Sequence, residues 1–149
     1  MIIALTPSRL NSNRLNRKPL LIIDGLPIII HTLKRVQLSK KVNKAIVCTD
    51  SVEIKNIVEM HGGEAVLTST KHRNGTERIA EVSKKFKRAK LIIDVQGDEP
   101  LVDPNDIDDV IKFNKKNNNF DIVLPIKTTQ NAEDKSLIKV VCSKQNKIL

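Results

Sequence analysis

IIALTPSRLNSNRLNRKPL, residues 2–20, passes within a few positions from an aliphatic run to a loop carrying Arg9, Arg14, Arg17 and Lys18 and no acidic side chain. A short apolar run without helical period reads as a buried strand, and the polar segment after it as the loop beyond the strand's carboxyl end. The same alternation recurs along the chain. The runs IIALT (2–6), KAIVCTD (44–50), EAVLT (64–68), KLIIDV (90–95) and FDIVLPI (120–126) alternate with segments of helical period at 27–38, 52–61, 76–86 and 104–116. Strands alternating with helices predict an α/β fold with a mostly parallel sheet covered by helices. Pro27 and Pro104 fall where a first helical turn accepts proline, and Gly62-Gly63 stands where the second helix should stop. In 104–116, Ile107, Val110, Ile111 and Asn114 form one stripe, which predicts packing on the sheet with Lys112, Lys115 and Lys116 in water. The last stretch, SLIKVVCSKQNKIL, reads as a strand, a polar turn over 143–146 and the start of a second strand.

The 149 residues have the length of one domain, so a single domain over 1–149 is expected. Apolar residues make up 40% of the chain and aromatics 2%, which predicts an aliphatic core. There is neither an apolar run of membrane-spanning length nor a charged-then-apolar leader, and a cytoplasmic protein without membrane contact is the expectation. Cys48 and Cys142 sit inside apolar runs and read as small buried hydrophobes rather than as a disulfide pair or zinc ligands. A net charge of +9 suits an anionic partner. Single-stranded nucleic acid would call for aromatic stacking platforms, and the chain has no Trp, no Tyr and three Phe, so no nucleic-acid partner is expected.

In an open parallel sheet, ligands bind beyond the carboxyl ends of the strands. The residues there are TPSRLNSNRLNRKPL after the first run, Asp50 after the second, STKHRNGTER after the third and QGDEP after the fourth. The first loop has neither the G-x-G-x-x-G of dinucleotide folds nor the G-x-x-x-x-G-K-[ST] of P-loops, so side chains must hold any phosphate. Arginine offers a planar fork of donors for phosphate oxygens and lysine a point charge, a set that suits a triphosphate. Asp98 follows an apolar strand and a glycine, which places a carboxylate where a magnesium ion bridging phosphates would sit. The other reading of Asp98 is a turn cap before Pro100. Gly75, Thr76, Glu77 and Arg78 fall at a helix start, where free backbone amides accept polar groups. His72 by itself reads as a surface histidine, and no Ser–His–Asp nucleophile set is present.

Taken in order, PSRLNSNRLNRKPL, CTD, HRNGTER and VQGDEP resemble the 3-deoxy-manno-octulosonate cytidylyltransferase (CMP-Kdo synthetase) family, whose pattern reads P-A-R-x-x-S-x-R-L-P-x-K-P-L, [AS]-T-D, H-x-S-G-T-[DE]-R and V-Q-G-D-E-P. The resemblance implies a Rossmann-like three-layer sandwich, the nucleotide-diphospho-sugar transferase fold. It implies a magnesium-assisted reaction of CTP with a 3-deoxy-octulosonate sugar acid for lipopolysaccharide synthesis. By position, Pro7, Ser8, Arg9, Arg14, Lys18, Gly75, Thr76 and Arg78 would hold the nucleotide, Asp98 the metal, and Gln96 the sugar acid. Arg9, Lys18 and Asp98 would act in catalysis. Ser8 replaces the family's Ala, Asn16 its Pro, Arg17 its Gly and Asn74 its Ser. Members of the family are longer, and what lies beyond would supply a second metal-binding Asp, most sugar contacts and much of a homodimer interface. A C-terminally truncated chain is therefore expected, and with it the alternative of a CTP-binding module without catalysis. A cytidylyltransferase for a related, sialate-like acid is a further alternative.

Overall fold

The computed structural model describes residues 1–10, 15–117, 122–126, 133, 140–144 and 147–148. Strand β1 (Ile2–Ser8) is buried at every position. Its sequence is accordingly a continuous apolar run rather than an alternation, because a central parallel strand has helices on both faces. Then come a 3₁₀ turn (Lys18–Leu20), a two-stranded hairpin of β2 (Ile22–Ile23) and β3 (Leu26–Pro27), α1 (Ile28–Gln37), β4 (Lys44–Thr49), α2 (Val52–Met60), β5 (Glu64–Leu67), α3 (Gly75–Ser83), β6 (Leu91–Asp94) and α4 (Pro104–Lys116). All ladders of the main sheet are parallel, and its order is β5-β4-β1-β6. The chain winds outward from β1 to β4 and β5, then crosses back to place β6 on the other side of β1. That reversal opens a crevice beyond the carboxyl ends of β1 and β6.

Alternate residues of β1 serve opposite layers. Ile2 and Ala4 pack with Ile107 and Ile111 of α4 and Val36 of α1, whereas Ile3 and Leu5 pack with Ile79 and Val82 of α3. Val47 of β4 meets Ile54 and Val58 of α2 on the α1 side. The result is the expected three-layer α/β sandwich with an aliphatic core. Its α4 stripe includes a residue that apolar patterning passes over. Asp108 is buried and accepts hydrogen bonds from Ser39 Oγ (2.6 Å) and from the backbone N–H groups of Lys40 and Lys41 (3.1 Å each). A buried carboxylate is tolerable only with such donors, and these pin α4 to the turn after α1.

Several boundaries move. β1 runs two residues past the expected run and takes in Pro7 and Ser8. A proline is tolerated there because the β6 ladder ends at Leu5, whose carbonyl accepts Val95 N–H at 3.2 Å. The N–H that Pro7 lacks would have pointed past that last rung, into the crevice. Pro27 caps α1 instead of opening it, while Pro104 stands in the first turn of α4 as expected. The hairpin was not foreseen, although Asp24-Gly25 between apolar pairs is its signature; both residues have positive φ (45° and 77°). The run at 120–126 is corrected: its described part, residues 122–126, joins no ladder, and Ile122, Leu124 and Ile126 are exposed. Pro125 has no N–H to donate to a neighbour. Near the end, Cys142 bridges Ile148 antiparallel and Ser143 N–H donates to Lys147 O (2.8 Å), a hairpin as expected. The strand expected over 136–141 lies mostly outside the described residues. Among the described residues no helix is long and apolar enough to cross a membrane.

Candidate functional site

The crevice at the sheet's switch point is a cleft of about 470 Å³, lined by Pro7, Ser8 and Arg9 at the end of β1, Lys18 and Pro19 of the 3₁₀ turn, His72 to Gly75 and Arg78 around the start of α3, and Gln96 to Asp98 beyond β6. Two glycines let these segments close on β1. A Cβ on Gly97 would lie 2.7 Å from Pro7 O and 3.3 Å from Ser8 Cβ, and one on Gly75 would lie 3.1 Å from Pro7 Cγ. At Gly97 a side chain would force the backbone to shift, and at Gly75 the Pro7 ring would have to give way by a few tenths of an ångström. Thr32 Oγ1 of α1 donates to Gly97 O (3.3 Å) and holds the loop from below.

Asp98 and Lys18 face each other in this cleft, with Nζ donating to Oδ2 at 2.6 Å. Asp98 therefore is not a turn cap; its carboxylate meets a cation rather than a backbone N–H. Among the described residues Arg9 has no carboxylate partner, and it is exposed at the mouth. Arg78 is different: it is 3% exposed, its Nη2 donates to Asp50 Oδ2 at 2.7 Å and its Nη1 to Thr68 Oγ1. It forms the cleft floor and ties the loops after β4 and β5 together. Arg17, read as the position of a family glycine, has φ 58° and ion-pairs with Glu53 at 2.5 Å. Left-handed φ explains the family's glycine. An arginine there bears a conformational cost that an exposed ion pair, worth at most about 1 kcal/mol, offsets only in part.

The start of α3 is built by its own side chains. Asn74, where the family has Ser, still caps the helix by accepting Glu77 N–H (2.9 Å). Glu77 Oε2 reaches back to Arg73 N–H (2.9 Å), and Glu81 Oε2 accepts Ser69 N–H (3.0 Å) and contacts His72 Nε2 (2.5 Å). Both carboxyls are held below their ordinary value, Glu77 chiefly by the Arg73 N–H and Glu81 chiefly by the Ser69 N–H and then His72. A depressed carboxyl contributes stability that is present above its unfolded pKa and lost as pH falls through the lower folded one. The amide proton shifts of Ser69 and Arg73 should thus stay constant from neutrality to pH 5. They should titrate with midpoints below about 4.3, the ordinary glutamate value. A midpoint at or above that value would show that these bonds do not order the loop in solution.

Of the residues expected here, Pro7, Ser8, Arg9, Lys18, Gly75, Arg78, Gln96 and Asp98 come together in the cleft. Thr76 is exposed and stands outside the lining. Arg14 lies outside the described residues. His72, expected on the surface, is half-buried in the cleft wall, and only its i+9 spacing to Glu81 hinted at that. Cys48 is no nucleophile, since burial pushes its thiol up to about 12. Among the described residues no group of three or more His, Cys, Asp or Glu could hold a metal ion. The single carboxylate of Asp98 instead fits a hard cation that shares its coordination with phosphate oxygens and water.

A parallel sheet with the β5-β4-β1-β6 order and a cationic cleft at its switch point defines an α/β domain of Rossmann-like type. The family model described as "Cytidylyltransferase" matches residues 3–149, and the chain belongs to that family. It is 37% identical over 152 residues to the 3-deoxy-manno-octulosonate cytidylyltransferase of Chlorobium limicola, covering 99% of this chain and 61% of the relative. It is 38% identical over 147 residues to the protein of the same name from Yersinia enterocolitica, covering 96% and 58%. Among solved structures, a CMP:2-keto-3-deoxy-manno-octonic acid synthetase complexed with CTP matches with a TM-score of 0.88 and 31% identity, covering 99% of this chain and 62% of that one. The chain thus spans about three fifths of the length of these relatives.

Proposed function

We propose that this cleft binds CTP with a divalent cation, magnesium, and that the domain serves a cytidylyltransferase that activates a 3-deoxy-octulosonate sugar acid for lipopolysaccharide synthesis. The sugar hydroxyl oxygen forms a bond to the α-phosphorus, and the bond from that phosphorus to the bridging oxygen of the β-phosphate breaks. Pyrophosphate leaves with that oxygen, and the hydroxyl proton passes to solvent. Such a transfer depends on positioning and charge neutralisation rather than on a protein nucleophile. Arg9, Arg14 and Lys18 neutralise the triphosphate. Pro7, Ser8, Gly75, Thr76 and Arg78 shape the nucleotide side of the cleft, and Gln96 meets the sugar acid. Asp98 would hold the cation, which would supply Lewis-acid stabilisation of phosphate charge. Ser8 Oγ is buried without a hydrogen-bond partner, and a ligand polar atom there relieves its desolvation.

The observation that carries this reading is the Lys18–Asp98 pair in the switch-point cleft. With CTP bound, Lys18 would pair with phosphate oxygens and Asp98 would be free to hold a divalent cation. Calorimetry with CTP and Mg²⁺ tests it. Lys18→Ala should weaken CTP binding by about 10-fold or more, the worth of a charge-assisted hydrogen bond; undiminished affinity would overturn the assignment. The alternative reading of residues 1–149 by themselves is a module that holds CTP without turnover. Pyrophosphate release on adding 3-deoxy-manno-octulosonate decides between the two. As a CTP-consuming enzyme it would work in the cytoplasm, as a single nucleotide-binding domain over 1–149 within a homodimer.

A further inference from the structure

We infer that Asp94 is a positioning residue that sets the polarity of the sugar-acid subsite by fixing the amide of Gln96. The inference rests on the proposed function, which places Gln96 toward the sugar acid. A glutamine amide has a donor end and an acceptor end, whereas an ionised carboxylate only accepts. Gln96 Nε2 donates to Asp94 Oδ1 at 2.9 Å. Asp94 and Gln96 lie two positions apart along β6 and its extension, so they share the face of the sheet that α3 covers. With its nitrogen held by Asp94, the amide must turn its oxygen the other way. Gln96 Oε1 lies 3.9 Å from the point a Cβ on Gly75 would occupy, which puts the oxygen across the cleft toward the start of α3.

The ligand therefore meets a carbonyl acceptor backed by a carboxylate. Such a subsite takes a hydroxyl donor and rejects a carboxylate, which would find no donor there and a like charge behind it. The acid group of the substrate is turned instead toward Arg73, a cleft cation not assigned to the triphosphate. A site built to pair a hydroxyl discriminates strongly against ligands that cannot offer one. The sugar acid is thereby oriented with a hydroxyl edge to the QGD loop.

Asp94 is exposed, so its replacement leaves a folded chain to measure. The experiment titrates 3-deoxy-manno-octulosonate into the CTP-loaded protein by calorimetry for wild type, Asp94→Leu and Asp94→Asn, and follows the Gln96 side-chain amide protons by NMR. Asp94→Leu should weaken the sugar acid about 10-fold, as loss of a hydrogen bond to a charged group does, with CTP affinity unchanged and the Gln96 amide resonances shifted. Asp94→Asn should retain both, because its carbonyl oxygen still accepts from Gln96. Unaltered sugar-acid affinity or unaltered Gln96 resonances in Asp94→Leu would overturn the inference. So would an equal loss of CTP and sugar acid, or a wild-type chain that binds CTP and no sugar acid. A wild-type chain that binds no CTP overturns the proposed function instead.

Discussion

Asp98→Asn should abolish the gain in CTP affinity that Mg²⁺ gives and leave the melting temperature within a few degrees of wild type. The stability half follows from exposure. The side chains of Lys18 and Asp98 are 39% and 47% exposed, and ion pairs this open to water are worth at most about 1 kcal/mol. For a chain of this size that is a shift of about 2–4 °C. The binding half follows from charge. The carboxylate is the only acidic group among the described residues lining the cleft, so an amide in its place leaves no anionic ligand for a hard cation. Turnover, measured where the whole enzyme supports it, should fall by about 100-fold or more. In EDTA the sign reverses. Without its counter-ion Lys18 is free for phosphate, so the variant should bind metal-free CTP at least as well as wild type. Calorimetry with and without Mg²⁺, alongside a thermal melt, reads all three. A melting temperature many degrees lower, or a magnesium effect that survives, would return Asp98 to a purely structural role.

The fold was legible wherever one residue type answers to one environment. β1 and β4 announced themselves as apolar runs because both their faces are covered, β5 and β6 did so although each carries exposed residues, and the polar motifs after them marked the crevice because ligands collect at that edge. Legibility stopped where a residue's meaning depends on a partner distant in sequence. Asp108 is four residues from Lys112 in the chain, yet its role is set by Ser39. Arg78 reads as a nucleotide ligand until Asp50 is seen beside it. Arg17 reads as a solvated charge, and its left-handed backbone and its bond to Glu53 are invisible in one dimension. The run at 120–126 shows the opposite failure: a short apolar run predicts a strand, but a strand exists only with a neighbour, its described residues 122–126 join no ladder, and Pro125 cannot donate to one.

Arg78 separates the fold from the site, and Arg78→Met is expected to cost about 3 kcal/mol of stability, the upper end of the penalty for leaving polar partners unsatisfied, because Asp50 is only partly buried. The methionine fills much of the volume but leaves Asp50 Oδ2 and Thr68 Oγ1 without the guanidinium that now joins them. At about 2–4 °C per kcal/mol the melting temperature should fall by roughly 6–12 °C. Asp50→Asn in the same chain should restore part of the loss, because the stranded charge is then gone, and a double-mutant cycle measures the coupling. Lys18→Ala provides the contrast: it should lose CTP and keep its melting temperature. A guanidinium spent on Asp50 and Thr68 has little left for a nucleotide, so CTP affinity per folded molecule should change less in Arg78→Met than in Lys18→Ala. If Arg78→Met instead melts like wild type while CTP binding collapses, the arginine is a nucleotide ligand and its bond to Asp50 is incidental. The loops after β4 and β5 hold this pair, and the second of them also carries His72 to the cleft. An ordered site here is therefore a consequence of a stable floor, and the two variants measure these separately.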